Sequence, residues 1–321
     1  NKPSKLTKHI NKKKFQKFSN NKRDGILILP AYDHKLGRSR VNIIDLNTFE
    51  IIHTYQHNNS DMNDQIKNVE EFRRHFIDNS SVRFEYRHPL ILDDGSLISH
   101  SEYSPLFKID ICSNLIWLNE EESFHHSLML DHEKNIWVNA IMYPYSKYVA
   151  NKTKKQGFFD DAIVKINSKG EIIYKKSVIE ILIENKILDD NFINDENMDP
   201  IHINDIEPVF NDGDYWKKGD LFLSLRHKSS IVHFRPSTNE VINYITGPFS
   251  QQHDVDIISL NEISIFNNNN YFIGNGNHSE ILIYNFETKN FKKVFNDQLK
   301  KENFKTYTEG LSHFFKDGAL F

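Results

Sequence analysis

Short runs of β-branched and aromatic residues, separated by turn residues, recur through most of the chain and indicate strands. The clearest repeated unit is a polar segment, an apolar strand, a turn with Gly or Asn, and a second strand. It reads R-H-P-L-I-L-D-D-G-S-L-I from Arg87, H-H-S-L-M-L-D-H-E-K-N-I-W-V from His125, and Q-H-D-V-D-I-I-S-L-N-E-I-S-I-F from Gln252. The histidines that mark five such units are about 40 to 75 residues apart: His88, His126, His202, His253 and His313. A period of roughly 40–50 residues with several strands per unit is typical of a β-propeller.

Two stretches depart from this strand pattern. Residues 62–78 and 177–193 place apolar side chains at the spacing of a helix, for example Val178, Ile181 and Leu182. We predict short helical insertions in loops between strands there. The fold class predicted from the sequence is therefore all-β, a β-propeller with short helical insertions.

The two ends of the chain carry further expectations. Residues 1–23 hold nine Lys or Arg and no acidic residue. We predict a basic disordered tail at 1–24 and a single β-propeller domain at 25–321. The alternative for the tail is a flank beside an upstream membrane anchor or export signal that is not in this chain. The chain stops at Ala319-Leu320-Phe321, inside a repeated unit, so we expect a truncated C-terminus.

Charge and hydropathy exclude some classes of function. The formal net charge is −4, which gives no reason to expect a nucleic-acid partner. No uninterrupted apolar run approaches the ~18 residues of a membrane-spanning helix. Cys112 is the single cysteine, so no intrachain disulfide can form.

Clusters of polar residues lie beside the strand-like runs. Their sequences are F-H-H-S-L at 124–128, H-I-N-D-I at 202–206, L-S-L-R-H at 223–227 and Q-H-D-V at 252–255. If the strands are blades of one ring, these imidazoles, the amide and the guanidinium converge on one place. Such a cluster can bind an oxyanion and offer a histidine nucleophile.

The order of these elements resembles the bacterial arylsulfotransferases that do not use the nucleotide sulfate donor. The matching run goes from His202 to Arg226, then S-S-I-V-H-F-R-P-S-T-N-E-V-I, T-G-P-F-S-Q-Q-H-D-V and I-S-I-F-N-N-N. The resemblance covers about residues 85–321 and is strongest at 200–270. It implies a six-bladed propeller whose active site lies in the central channel. It also implies transfer of a sulfuryl group from one phenol ester to another phenol, through a sulfohistidine and with no cofactor.

The resemblance assigns the chemical steps to histidines. His253 in Q-H-D takes the position of the nucleophile, and a neutral imidazole nitrogen can attack sulfur. His126 corresponds to an early histidine of the family that acts as acid or base on the phenol oxygen. His125 and His88 compete for that role, and their spacing does not separate them.

The other assigned residues would bind the substrate. His202 and Asn204 are two residues apart, so in an extended segment both side chains point the same way. The family uses such a pair to hold the sulfuryl oxygens. Arg226 ends an apolar strand, and its guanidinium fork suits the oxygens of a sulfate. Thr308 would supply a hydroxyl late in the chain.

Two other classes of function stay open at this point. A metal-dependent propeller hydrolase, such as a lactonase, could ligate a hard cation through Asn204, Asp205, Glu207 and Asp254. A non-catalytic propeller could serve as a binding platform, because a fold alone does not establish chemistry.

The partners that the resemblance implies are an aryl sulfate donor and a phenol acceptor. We expect a bacterial protein that is periplasmic or exported, and a homodimer is left open.

Overall fold

The computed structural model describes residues 24–63, 65, 80–153, 157–193, 196–270, 278–315 and 318. The predicted disordered tail and most of the predicted insertion at 62–78 lie outside these residues. A short helix, α1, spans Asn59–Asn63 and overlaps the start of that insertion.

The described residues form eighteen strands in four antiparallel sheets, which confirms the all-β prediction. The first sheet contains β1 (Ile26–Asp33), β2 (Arg38–Asp45) and β3 (Ile51–Tyr55). The second contains β4 (Arg87–Ile91), β5 (Leu97–His100), β6 (Ser104–Ile109), β7 (Leu115–Leu130), β8 (Ile136–Ile141), β9 (Asp161–Ile166) and β10 (Ile172–Ser177). The third contains β11 (Ile203–Pro208), β12 (Leu221–Leu225), β13 (Ser230–Arg235) and β14 (Glu240–Thr246). The fourth contains β15 (Val255–Ile257), β16 (Glu262–Asn267), β17 (Glu280–Asn285) and β18 (Asn290–Val294).

Each sheet is a meander, in which strands that follow one another in sequence are paired. The seven-stranded sheet joins two such meanders through the 16-residue strand β7. The first part of β7 pairs with β6, and its last part pairs with β8. The chain therefore repeats one antiparallel unit along its length, as the sequence pattern predicts.

Strand β12 shows how one strand serves two apolar cores. Its alternate residues Leu221, Leu223 and Leu225 belong to one buried cluster. Phe222 points to the other face and packs with Trp216 in a second cluster. Side chains alternate between the faces of a strand, so an almost continuously apolar sequence is expected where both faces are buried. The sheets are thus stacked with apolar layers between them.

The predicted insertion at 177–193 is helical. Helix α3 (Val178–Glu184) begins after Ser177, whose side chain accepts a hydrogen bond from the Glu180 backbone N–H. A 3-10 helix follows at Asp190–Phe192. The buried face of α3 packs on the core between the second and third sheets. The remaining helices are α2 (Lys147–Lys152), α4 (Asn296–Lys301) and a 3-10 helix at Arg226–Lys228.

The first strands of successive units lie side by side. Strand β4 contacts β1 and β7, and β11 contacts β7 and β15. The polar clusters at the ends of these strands consequently face a common space. Among the described residues, no helix is long and apolar enough to cross a membrane.

Replacing Leu223 with Ala tests the double-sided burial of β12. Leu223 is fully buried, and its truncation should lower the free energy of unfolding by about 2–5 kcal/mol, because it leaves a cavity in the core. The measurement is urea unfolding followed by circular dichroism. The control is Ile173→Ala in β10, a side chain that is 51% exposed and should change the stability little. Equal effects of the two variants would contradict this account of the core.

Candidate active site

A cavity of about 960 Å³ lies where the first strands of the sheets meet. All six residues singled out from the sequence line it: His126, His202, Asn204, Arg226, His253 and Thr308. His202, Asn204 and Arg226 belong to the third sheet, whereas His126, His253 and Thr308 come from other units, so the packing of the sheets brings the six together. Of the two competing histidines, His88 also lines the cavity, whereas His125 is buried behind His126.

Irregular backbone directs three of these histidines into the cavity. His88, His126 and His202 have φ angles of 39°, 57° and 50°, in the left-handed region. Each lies in or beside a register shift in strand β4, β7 or β11. A β-bulge re-aims a side chain, and the left-handed conformation costs an L-residue roughly 1–2 kcal/mol. The same unfavourable backbone conformation therefore recurs at equivalent places in three units.

Hydrogen bonds determine which nitrogen of His253 carries the proton. Asn268 donates through Nδ2 to the carbonyls of Thr306 and Glu309, at 3.1 and 3.0 Å. Its Oδ1 is therefore the atom that lies 2.7 Å from His253 Nδ1. On the other side of the ring, the Glu309 backbone N–H donates to His253 Nε2 at 2.7 Å. Nδ1 is thus protonated, and Nε2 carries the lone pair.

The surroundings of His253 also keep its ring uncharged. The pKa of His253 is lowered to about 4, mainly by burial. The hydrogen bond to Asn268 raises the pKa, whereas the charges of Arg226 and of protonated His202 lower it. At neutral pH the imidazole is neutral, and its lone pair is on Nε2, where it accepts the hydrogen bond from Glu309. That is the form in which a histidine can act as a nucleophile.

The segment from Thr306 to Glu309 borders the cavity on the side of His253. Its position is fixed by Asn268 and by an ion pair between Arg87 Nη1 and Glu309 Oε1 at 2.8 Å. Thr308 lines the cavity within this segment. Because the Glu309 N–H occupies the lone pair of Nε2, this lone pair is available to a bound molecule only when the hydrogen bond opens.

Asp199 shifts the pKa of His202 in the opposite direction. His202 Nδ1 lies 2.6 Å from Asp199 Oδ2. Burial lowers the pKa of His202, but the hydrogen bond and charge of Asp199, with a further contribution from Asp161, outweigh burial and raise the pKa. The cavity thus holds a neutral histidine and one that favours the charged form.

Arg226 is held beside this pair by His227. The guanidinium Nη1 donates to His227 Nε2 at 2.7 Å, and Nη2 donates to Gln251 Oε1 at 3.3 Å. His227 Nδ1 in turn donates to the backbone carbonyl of Asp199 at 2.7 Å. These bonds fix the direction of the guanidinium, which also lines the cavity.

Asp199, His202 and His227 are the group that comes close enough to hold a metal ion within the described part of the chain. The 2.6 Å between His202 Nδ1 and Asp199 Oδ2 is a hydrogen-bond distance. Two ligands on one zinc ion would be about 3.3 Å apart, given bonds of ~2.0–2.1 Å. The guanidinium in contact with His227 would also repel a cation. The geometry therefore favours a hydrogen-bonded group.

Two of the carboxylates considered as ligands for a metal-dependent hydrolase accept backbone hydrogen bonds. Asp205 accepts the Val255 backbone N–H at 3.0 Å, and Asp254 accepts the Ser312 N–H at 2.8 Å. Asn204 donates through Nδ2 to the Gln252 carbonyl at 2.8 Å. These bonds tie neighbouring units together around the cavity.

Three residues that shape this site were not predicted from the sequence. Asn268 fixes the tautomer of His253, Asp199 raises the pKa of His202, and the Glu309 N–H bonds to Nε2 of His253. Asp199 lies three residues before His202, which is a usable signal. Asn268 stands in a run of asparagines, I-F-N-N-N, in which no pattern distinguishes one amide from the next. Glu309 acts through its backbone, so its side-chain type gives no signal.

Comparisons with solved structures describe the fold alone. A protein of unknown function from Bacteroides caccae is 12% identical, with a TM-score of 0.53, over 92% of this chain and 80% of that one. Virginiamycin B lyase from Staphylococcus aureus is 12% identical, with a TM-score of 0.40, over 73% of this chain and 61% of that one. No curated protein matches the chain.

A family comparison covers the cavity itself. The model of the arylsulfotransferase (ASST) family matches residues 88–321, which is most of the chain and includes every histidine described above. The match begins at His88, the first of the histidines with left-handed backbone. The chain belongs to the arylsulfotransferase family.

Proposed function

We propose that the protein is an arylsulfate sulfotransferase that moves a sulfuryl group from an aryl sulfate to a phenol through a sulfohistidine at His253. The observation that carries this proposal is the lone pair of His253 Nε2, in a neutral ring, in the same cavity as the Arg226 guanidinium and His202, whose pKa is raised. A sulfate ester carries one negative charge, so it binds where cationic donors converge. The same donors oppose protonation of His253 and so favour the nucleophile.

In the first half-reaction, His253 Nε2 attacks sulfur, and the bond between sulfur and the phenolic oxygen breaks. The electron pair of that bond leaves with the phenolate, and His126 donates a proton to the phenolate oxygen. Arg226, His202 and Asn204 would hold the sulfuryl oxygens as charge develops. In the second half-reaction a phenol loses its proton to His126 and attacks the sulfohistidine. Nucleophilic catalysis of this kind replaces one difficult step with two easier ones.

We further propose that the repeated units are blades of a six-bladed propeller with the cavity in its channel. The two halves of β7 divide the seven-stranded sheet, which makes five units within the described residues. A sixth would begin at Ser312, whose N–H bonds to Asp254 of the preceding unit. The ion pair between Arg87 and Glu309 joins an early unit to this late segment, as a closed ring requires.

Replacing His253 with Ala tests the nucleophile. We expect phenol-dependent release of nitrophenol from 4-nitrophenyl sulfate to fall by about three orders of magnitude or more, because the covalent step is lost. The measurement is nitrophenol absorbance with and without phenol. The control is His132→Ala, a histidine in the turn between β7 and β8 that does not line the cavity and should keep wild-type rates. Turnover that survives in the His253 variant would contradict the proposal, and a folded but inert wild type would favour a binding platform.

Replacing Arg226 with Lys tests sulfuryl recognition. Lysine keeps the charge but loses the planar fork and the bond to His227. We expect kcat/KM for the donor to fall roughly ten- to hundredfold, the equivalent of one charge-assisted interaction. Steady-state kinetics with varied donor give this value. Unchanged kcat/KM would show that the guanidinium does not contact the donor.

Replacing Asp199 with Asn tests the charge on His202. Asp199 raises the pKa of His202, so donor binding should weaken as the pH rises through that pKa and the positive charge is lost. Without the carboxylate the pKa falls, and the rise in the donor KM should begin at a lower pH. The measurement is donor KM across the neutral and alkaline range. Asp93→Asn, an exposed aspartate, is the control. Superimposable profiles for Asp199→Asn and wild type would exclude this role.

A further inference from the structure

Three buried titratable groups form a row behind the cavity. His126 lines the cavity, and its Nδ1 lies 2.7 Å from Nδ1 of His125. On the far side of His125, Nε2 lies 3.1 Å from Asp161 Oδ1. The side chains of His125 and Asp161 are each 1% exposed. The proposed reaction, as stated so far, uses neither of these buried groups.

The row is fixed to the sheet at both ends. Asp161 begins β9, and its Oδ2 accepts the backbone N–H of His202 at 2.9 Å. His125 and His126 follow one another in β7, at the bulge that turns His126 into the cavity. The carboxylate thus supports both the backbone of His202 and the ring of His125.

The environment determines where a proton rests along this row. Burial raises the pKa of Asp161 well above its usual range, with Asp199 and Asp160 adding to the rise and His202 opposing it. Burial lowers the pKa of His125 to about 4. Burial also lowers the pKa of His126. Charge on any of four neighbouring histidines would lower it further: His125, His202, His253 and His88. The carboxyl group therefore holds a proton more readily than either ring.

The position of that proton sets the tautomer of His126. When Asp161 is protonated, its O–H faces His125 Nε2, so His125 Nδ1–H donates to His126 Nδ1. His126 then presents Nε2–H to the cavity and can act as an acid. When Asp161 is ionised, His125 Nε2–H faces the carboxylate, and His125 Nδ1 accepts from His126 Nδ1–H. His126 Nε2 then carries a lone pair and can act as a base.

We propose that Asp161 and His125 form a proton relay that stores one proton between the two half-reactions. This inference rests on the function proposed above. In the first half-reaction His126 Nε2–H passes to the leaving phenolate, His125 Nδ1–H passes to His126 Nδ1, and the Asp161 proton passes to His125 Nε2. The sulfo-enzyme then contains an ionised Asp161. In the second half-reaction the acceptor phenol gives its proton to His126 Nε2, and each transfer runs in reverse.

The proton balance closes over a full cycle. His253 keeps its Nδ1–H toward Asn268 throughout, so it neither supplies nor takes the phenol proton. His125 Nε2 lies 3.1 Å from Asp161 Oδ1, but the angles of this contact are not those of a hydrogen bond. Catalytic hydrogen bonds often align only when the substrate binds. Asp161 and His125 act through His126, so they are positioning residues.

Replacing Asp161 with Asn separates this role from a structural one. The amide oxygen can still accept the His202 N–H, and the amide N–H can still face His125, but the amide cannot release its proton. Nitrophenolate is a good leaving group that needs little protonation, whereas 4-methylphenolate needs a proton. In Asp161→Asn we expect a near-normal nitrophenol burst from 4-nitrophenyl sulfate. The methylphenol burst from 4-methylphenyl sulfate should be ~10²–10⁴ slower than in wild type.

The matched control is Asp131→Asn in the turn after β7. Asp131 is also a buried carboxyl group, but it bonds to Lys165 and the Glu133 backbone N–H rather than to a histidine. It should change both donors by the same factor. If Asp161→Asn also slows both donors equally, or neither, the relay is overturned. If wild type releases no phenol from any aryl sulfate, the proposed function itself fails, and the relay fails with it.

A second measurement uses the wild-type protein and needs no variant to fold. Excess 4-methylphenyl sulfate is mixed with the protein, without acceptor, in a weakly buffered solution that contains a pH indicator. The relay supplies the proton internally, so the burst of methylphenol should take up no proton from the solution. Uptake of one proton per methylphenol during the burst would overturn the inference.

Discussion

The side-by-side packing of the first strands is the constraint on which the rest of this structure depends. Strands β4, β7, β11 and β15 can surround one cavity only because each sheet buries apolar side chains on both of its faces. Polar groups on these strands are then buried as well and need partners. The bonds from Asp205 to Val255 and from Asp254 to Ser312 provide partners between units. The stability of the sheets and the arrangement of the site thus have one origin.

Two buried histidines in this cavity have pKa shifts of opposite sign. His253 has only neutral partners, Asn268 and a backbone N–H, so burial keeps it uncharged. His202 has the carboxylate of Asp199 as its partner, and the pKa rises despite burial. A neutral histidine and one that favours the charged form can therefore coexist in one pocket. The partner on the second nitrogen decides which of the two a histidine becomes.

Much of the fold and part of the site could be predicted from the sequence. The strand periodicity and the helix after Ser177 depend on local patterns, and both are present in the structure. The polar clusters marked the residues that line the cavity. The spacing did not separate His88, His125 and His126, because adjacent residues of a bulged strand can point either way. Asp161 gave no signal, since it is one acidic residue at the start of an ordinary strand.

The sequence by itself determined the all-β class and the repeated unit, since both depend on residue types at short, regular spacing, and the order of its motifs resembles that of the family. Only the tertiary structure decided which histidine is neutral and which favours the charged form, and which one stands behind another. Those properties depend on partners contributed by other units, such as Asp161 for His125 and Asn268 for His253. A pKa reflects burial and nearby charge, and both exist only after the sheets have packed.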